Sequence, residues 1–286
     1  ELLWLKKSLQ QMVKEMYIDT HSYDTTFRGV CDYLNIGMVA MIRFLDDCTR
    51  ECVHQKCTDE DLFFERAEAL IKKSNRQKVL DQILFYHLTR RLNSEPSLSS
   101  RNLLECITGD GPLVTFFRSY GIEFKEVDGC LRLFRNEKLV QLSKTCHLMG
   151  RLGDVSDAPD FCVNGFMFKE HLEADSYRGT LQNAPEFISD VADALKEPNI
   201  VTDYASQSTY YCYEYRLPLK MVIFDDNQEL KQSKKASHFL KEVLYYLFCH
   251  YKESTQLMGG FHGHYLRIDD KANIPENFFV KREKIF

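Results

Sequence analysis

The apolar residues of this 286-residue chain are spaced differently in its first third than beyond it, and that difference restricts the fold more than any short motif does. Up to about residue 95 apolar positions recur at three and four, as in Leu5, Leu9, Met12, Val13 and Met16. A second helix is predicted to start after Thr25 or Thr26 as cap and to carry Val30, Leu34, Met38, Met41 and Leu45. A third runs through Leu62, Phe63, Ala67 and Leu70, and a fourth through Val79, Ile83, Leu84 and Leu88. From Ile122 the apolar residues alternate instead. Ile122, Phe124 and Val127 precede Asp128-Gly129, with Leu131 and Leu133 after it, which is a hairpin signal with a positive-φ turn. The fold class predicted is α+β: an N-terminal helical lobe over residues 1–96, then a mixed, strand-dominated part over 97–286.

The polar segment Asn93-Ser94-Glu95-Pro96-Ser97-Leu98-Ser99-Ser100 is the clearest break in composition and is read as the boundary, a helix-to-helix loop being the other reading. Beyond it short helices are expected over 103–107 and 113–120, a strand over 163–168 and a helix over 190–195. Strands over 209–215 and 219–224, a helix over 237–251, and closing strands over 264–268 and 278–284 complete the pattern.

With 44% hydrophobic and 13% aromatic residues the chain can bury a sizeable core. Its net charge of -5, from 37 basic and 42 acidic residues without a basic block, argues against a nucleic-acid surface. The ten cysteines are scattered through apolar patterns and read as reduced, buried thiols in a reducing compartment. No uncharged apolar run reaches membrane-spanning length; the start Glu1-Leu2-Leu3-Trp4 is not a signal peptide and is expected for a piece of a longer protein.

Several chemistries find no motif. Thr108-Gly109-Asp110-Gly111-Pro112 reads as a turn, because no Gly-Lys-Ser/Thr follows its two glycines. No Gly-x-Ser-x-Gly elbow is present. Cys48, Cys52, His54 and Cys57 have a superficially zinc-like spacing, but buried thiols are the preferred reading and no metal is expected. Tyr86-His87-Leu88-Thr89 is read as part of a helix face.

What remains is an ordered set of segments. Leu131-Arg132-Leu133-Phe134-Arg135 is a strand ending in a cation; Glu186-Phe187-Ile188-Ser189 leads into a helix for which Ser189 is a natural N-cap; Gln207-Ser208-Thr209-Tyr210-Tyr211-Cys212-Tyr213 is an aromatic strand; Asn273-Ile274-Pro275 is a closing turn. In that order they resemble the NAD-binding core of ADP-ribosyltransferase toxins. Asn164-Gly165-Phe166-Met167-Phe168 and Asp175-Ser176-Tyr177-Arg178-Gly179-Thr180 are similar to the intervening loop in the cholera and pertussis toxin catalytic subunits.

The resemblance spans about residues 121–284 and implies an ADP-ribosyltransferase-like mixed β-sandwich over 97–286 that uses NAD as cofactor. It implies that Arg135 holds the NAD phosphates or nicotinamide ribose, that Ser189 braces the cleft, and that Phe187 and Tyr177 line it. Where such enzymes carry a catalytic glutamate this chain reads Phe261-His262-Gly263-His264-Tyr265, so His262 and His264 are the candidates beside the scissile bond. Glu214, Glu229, Glu253, Asp269 and Asp270 are the acids that the fold would have to bring in for the fixed negative charge that an imidazole does not supply. The implied activity is mono-ADP-ribosylation of a host protein by a bacterial effector, secreted and acting in the host cytoplasm, with the helical lobe available to a host activator. The alternative is a catalytically silent NAD- or protein-binding module on the same fold.

Overall fold

The computed structural model describes residues 16–54, 57–74, 76, 79–143, 147–152, 160–173, 181–254 and 265–285. In chain order its elements begin with α1 (Tyr23–Leu34), α2 (Met38–Cys52), β1 (Val53–His54), β2 (Cys57–Thr58), α3 (Glu60–Lys73) and β3 (Gln82–Leu92). Next come α4 (Leu103–Thr108), α5 (Pro112–Ser119), β4 (Ile122–Val127), β5 (Cys130–Arg135), β6 (Lys138–Leu139), α6 (His147–Arg151) and β7 (Asn164–Phe166). The last are α7 (Glu186–Leu195), α8 (Asn199–Ser206), β8 (Ser208–Pro218), β9 (Ile223–Phe224), α9 (Gln232–Ser254), β10 (Tyr265–Arg267) and β11 (Phe279–Lys284). The architecture is α+β, and among the described residues no helix is long and apolar enough to cross a membrane.

Contacts divide the chain into two compact units, each assembled from separated stretches: 1–85, 166–171 and 216–265 in unit 1, and 86–165, 172–215 and 266–286 in unit 2. The sequence reading places a single cut between 96 and 97, whereas these units interleave. Six strands are hydrogen-bonded in the order β11-β8-β3-β7-β10-β9, and β4-β5-β6 form a separate sheet.

In unit 1, α9 packs against α1, α2 and α3. Phe63 is the centre of that packing: fully buried, it stacks on Phe248 at 4.6 Å between ring centroids and also meets Phe44, Phe64 and Tyr245. Two expectations are corrected at the first helices. The cap is Ser22 rather than Thr25 or Thr26, because its side chain accepts from the Thr25 amide while Thr25 accepts in return from the Ser22 amide. The stripe through Leu45 is broken into two helices where Asn35 takes a left-handed φ of 54° and Gly37 caps the next helix.

The fourth predicted helix is instead the strand β3. Ile83, Leu84, Phe85 and Tyr86 are all buried, so both faces of this part of the strand are covered and no polar alternation survives to reveal it. The Val79-Ile83-Leu84-Leu88 spacing is then a coincidence of a continuous apolar run.

In unit 2, α4, α5, α7 and α8 share a core with the β4–β5 hairpin. The hairpin register pairs Val127 with Cys130 and Ile122 with Arg135, and both turn residues, Asp128 (φ 53°) and Gly129 (φ 77°), have positive φ as the Asp-Gly pair predicts. The segment 208–224 is one long strand, β8, then a 3-10 turn over Leu219–Met221 and the short β9, in place of strands over 209–215 and 219–224. Helix α8, with Pro198 at its N-cap, is an element that the sequence reading passed over.

Adjacent arginines of β3 point to opposite faces and each ties down a loop. Arg90 donates to Ser208 Oγ (2.8 Å), Gln182 O (2.8 Å) and Ala205 O (2.8 Å). Arg91 donates to Ser97 O (3.0 Å), Ser99 O (2.7 Å) and Ser100 Oγ (2.7 Å). The polar stretch read as a boundary is thus held to the strand that precedes it.

Candidate functional site

Arg135 ends β5, and its guanidinium meets Glu197 Oε1 at 3.2 Å. Glu197 lies past the C-cap Lys196 of α7, whereas Ser189 sits in the first turn of that helix. About 9 Å of helix separate Ser189 from Leu195 at 1.5 Å per residue, so the partner of Arg135 and Ser189 stand at opposite ends of α7. Ser189 is not the N-cap: Pro185 is, and the Ser189 amide donates to Pro185 O at 3.2 Å. The helix begins here because Pro185 has an extended ψ (146°) and no N–H to donate to a preceding turn, and no side-chain cap is made.

Phe187 is 4% exposed, with its ring 6.2 Å from Phe117 and 5.5 Å from Phe124. It is a core residue of unit 2 and not the lining of an open cleft. Tyr177, His262 and His264 lie outside the described residues, as does the side chain of Glu253. Of the other acids, Glu214 is buried on β8 opposite Lys281, whose Nζ is 3.4 Å from it. Asp270 accepts the Phe161 amide at 3.1 Å and faces Arg267 at 3.4 Å, while Glu229 and Asp269 are exposed.

No disulfide joins the cysteines whose side chains are described. Cys48 and Cys52 are buried one turn apart on α2, and burial pushes the Cys48 thiol up to about 12, as a buried hydrophobic thiol requires; the side chains of His54 and Cys57 are outside the description. The single S–H of Cys162 faces two acceptors, Asp160 Oδ1 at 3.1 Å and Asn164 Oδ1 at 3.0 Å from the sulfur. Burial and the Asp160 carboxylate push this thiol to about 12 as well, which removes it as a nucleophile at neutral pH.

The side chain of most interest is one the sequence placed on a helix. His87 is partly buried on β3, and its Nδ1 lies 2.7 Å from Asn164 O. A carbonyl only accepts, so Nδ1 carries the proton and Nε2 is left with its lone pair. Burial first, and the Arg91 charge second, lower this imidazole to about 4 against the opposing hydrogen bond to Asn164. His87 is therefore neutral at pH 7, fixed in one tautomer, and able to accept through Nε2.

Arg91 shares the His87 face of β3 and lies 4.3 Å over the Tyr213 ring. Tyr211, Tyr213 and Tyr215 form one row along β8, with centroids 5.8 and 6.1 Å apart. Arg282 of β11 lies 5.1 Å over Tyr211, and Tyr215 Oη is 2.7 Å from Ser100 Oγ. Separately, a shallow groove of about 690 Å³ runs past Leu92, Asn93, Pro112, Phe116, Ser206 and Gln207.

The continuous run Ile83-Leu84-Phe85-Tyr86 before His87 was the available signal for a strand, with β-favouring residues over the length of a buried strand. It does not by itself distinguish strand from buried helix, and the position of Asn164 beside it is not readable from sequence.

A depressed histidine makes a pH prediction. The unfolded chain protonates His87 near 6.5 while the folded chain resists until about 4, so the unfolded state binds more protons between those values and stability falls as pH falls through that window. The slope from this one group is at most about 1.4 kcal/mol per pH unit. His87→Gln should flatten the urea midpoint against pH between about 6.5 and 4 relative to wild type; parallel profiles would show that the imidazole is not held neutral.

Searches against protein-family models, curated proteins and solved structures found no match to this chain.

Proposed function

We propose that the chain is an ADP-ribosyltransferase-like protein that binds NAD and transfers its ADP-ribose to a protein acceptor, by analogy a host protein. The support is the order of the segments around 133–135, 187–189, 208–213 and 274–275, joined to one observation: the Ser-Thr-Tyr-Tyr-Cys-Tyr segment lies on the long strand β8, hydrogen-bonded between β3 and β11. Within unit 2, His87 is the side chain suited to a ribose hydroxyl, because a neutral imidazole of fixed tautomer presents an acceptor without reorganisation. Arg135, already paired with Glu197, is assigned a structural place instead.

The test is NAD binding by calorimetry together with release of labelled nicotinamide. His87→Ala should weaken NAD binding by about tenfold, the scale of one lost hydrogen bond. Arg135→Ala should leave it within about twofold, and should cost under about 1 kcal/mol of stability, since the pair it breaks is a partly exposed one. Failure of the wild type to bind NAD overturns the reading. A second reading, the silent NAD-binding module, draws on the separation of Arg135 from Ser189 and on the core placement of Phe187; NAD binding without nicotinamide release, with or without cell lysate, is its signature.

A further inference from the structure

Unit 1 holds a histidine between two carboxylates at the start of α9. His238 and Glu242 are one turn apart on that helix, and Asp226 comes from the turn after β9. His238 Nε2 is 3.3 Å from Asp226 Oδ2, and its Nδ1 is 3.9 Å from Glu242 Oε1. One potential ligand atom from each of the three residues lies within 4.8 Å of the other two.

Two observations favour a cation over a simple ion pair. Nε2 is buried, yet its approach to Asp226 lacks hydrogen-bond geometry, so that nitrogen makes no hydrogen bond among the described residues. Two donors bound to one tetrahedral ion at ~2.0–2.1 Å stand about 3.3–3.4 Å apart, which matches the separation seen. The nearby cation Lys235 is directed elsewhere: its Nζ donates to Lys220 O (3.2 Å) and Val222 O (2.5 Å). The Phe224 ring lies edge-on to the imidazole at 4.7 Å and covers one side, and the Glu242 side chain is 6% exposed against 48% for Asp226, so the cluster is open to solvent on the Asp226 side.

We propose that Asp226, His238 and Glu242 bind a divalent transition-metal ion of the zinc class, one nitrogen and two carboxylate donors leaving further positions for water. The ion joins the turn after β9 to the first turns of α9, and a small rotation of the Glu242 side chain completes the set. None of these residues enters the NAD reading, so the two proposals stand or fall separately.

The experiment titrates zinc into the chelator-stripped, dialysed full chain by calorimetry and repeats it with Asp226→Asn and His238→Ala. Asp226 is half exposed, so its variant keeps the fold, which circular dichroism checks. The wild type should show a binding step that both variants lose, with affinity falling more than ~100-fold, since even outer-shell partners of a metal are worth ~10–100-fold. Added zinc should raise the wild-type melting temperature and leave that of the variants where it was. No zinc uptake by the wild type, or an equal uptake at equal affinity by the folded Asp226→Asn variant, overturns the proposal.

Discussion

Arg90→Ala is expected to lower the unfolding free energy by about 3 kcal/mol, through groups left behind more than through the side chain removed. The guanidinium satisfies Gln182 O, Ala205 O and Ser208 Oγ together, and the backbone carbonyl of the same residue accepts from Tyr204 Oη at 2.7 Å. Tyr204 is buried, so α8 is held to β3 by a side-chain bond from each partner. Without Arg90, three carbonyls (Gln182 O, Ala205 O and, at 3.3 Å, Ser208 O) and a buried hydroxyl group lose a charged donor, each such loss being worth up to about 1–3 kcal/mol. Lysine does not restore it, because one ammonium cannot span the acceptors that a planar fork reaches. Urea unfolding should show a lower midpoint at unchanged slope for Arg90→Ala, with Arg90→Lys recovering less than half. A loss below about 1 kcal/mol would mean that water replaces the arginine adequately.

Phe63→Ala should be costlier still, about 4 kcal/mol, because the ring is fully buried among four aromatic neighbours that have little room to close in. Two of those neighbours, Phe248 and Tyr245, belong to α9, and Tyr245 is also fixed by its bond to Glu60 Oε1 at 2.6 Å. That bond opposes the collapse that would otherwise fill the cavity. Phe63→Leu keeps most of the volume and should cost about half as much. A midpoint shift for Phe63→Ala equivalent to less than about 2 kcal/mol would show that the aromatic group repacks freely.

The parts of the fold that were legible are those whose two faces differ. The β4–β5 hairpin alternates and carries its own turn residues; α9 and β11 fall close to their expected places. The strand β3 was not legible because burial on both faces erases alternation, and the break between α1 and α2 was hidden because the apolar stripe continues in sequence across Asn35 and Gly37. For the candidate site the limit was different. Arg135 and Ser189 were placed in sequence order, but their positions relative to α7 depend on which end of the helix Glu197 occupies, and no local pattern carries that. His87 reads as a helix-face residue for a related reason: its character comes from Asn164 O, remote in sequence, and from Arg91, which four residues on shares its face in a helix and in a strand alike.

The interleaving of the two units bears on how the chain can be made. Unit 1 begins at the N-terminal side but takes residues 216–265 as well, so its α1–α3 bundle lacks its central helix until most of the polypeptide has left the ribosome. Until then the faces that α9 will cover, Phe63 among them, have no native partner, and a chaperone that shields apolar helix faces would find them during synthesis. By the same logic neither unit is a single exon-like block: a deletion series from either end removes pieces of both, and separate production of unit 1 requires α9 to be supplied, covalently through a new linker or as a second polypeptide.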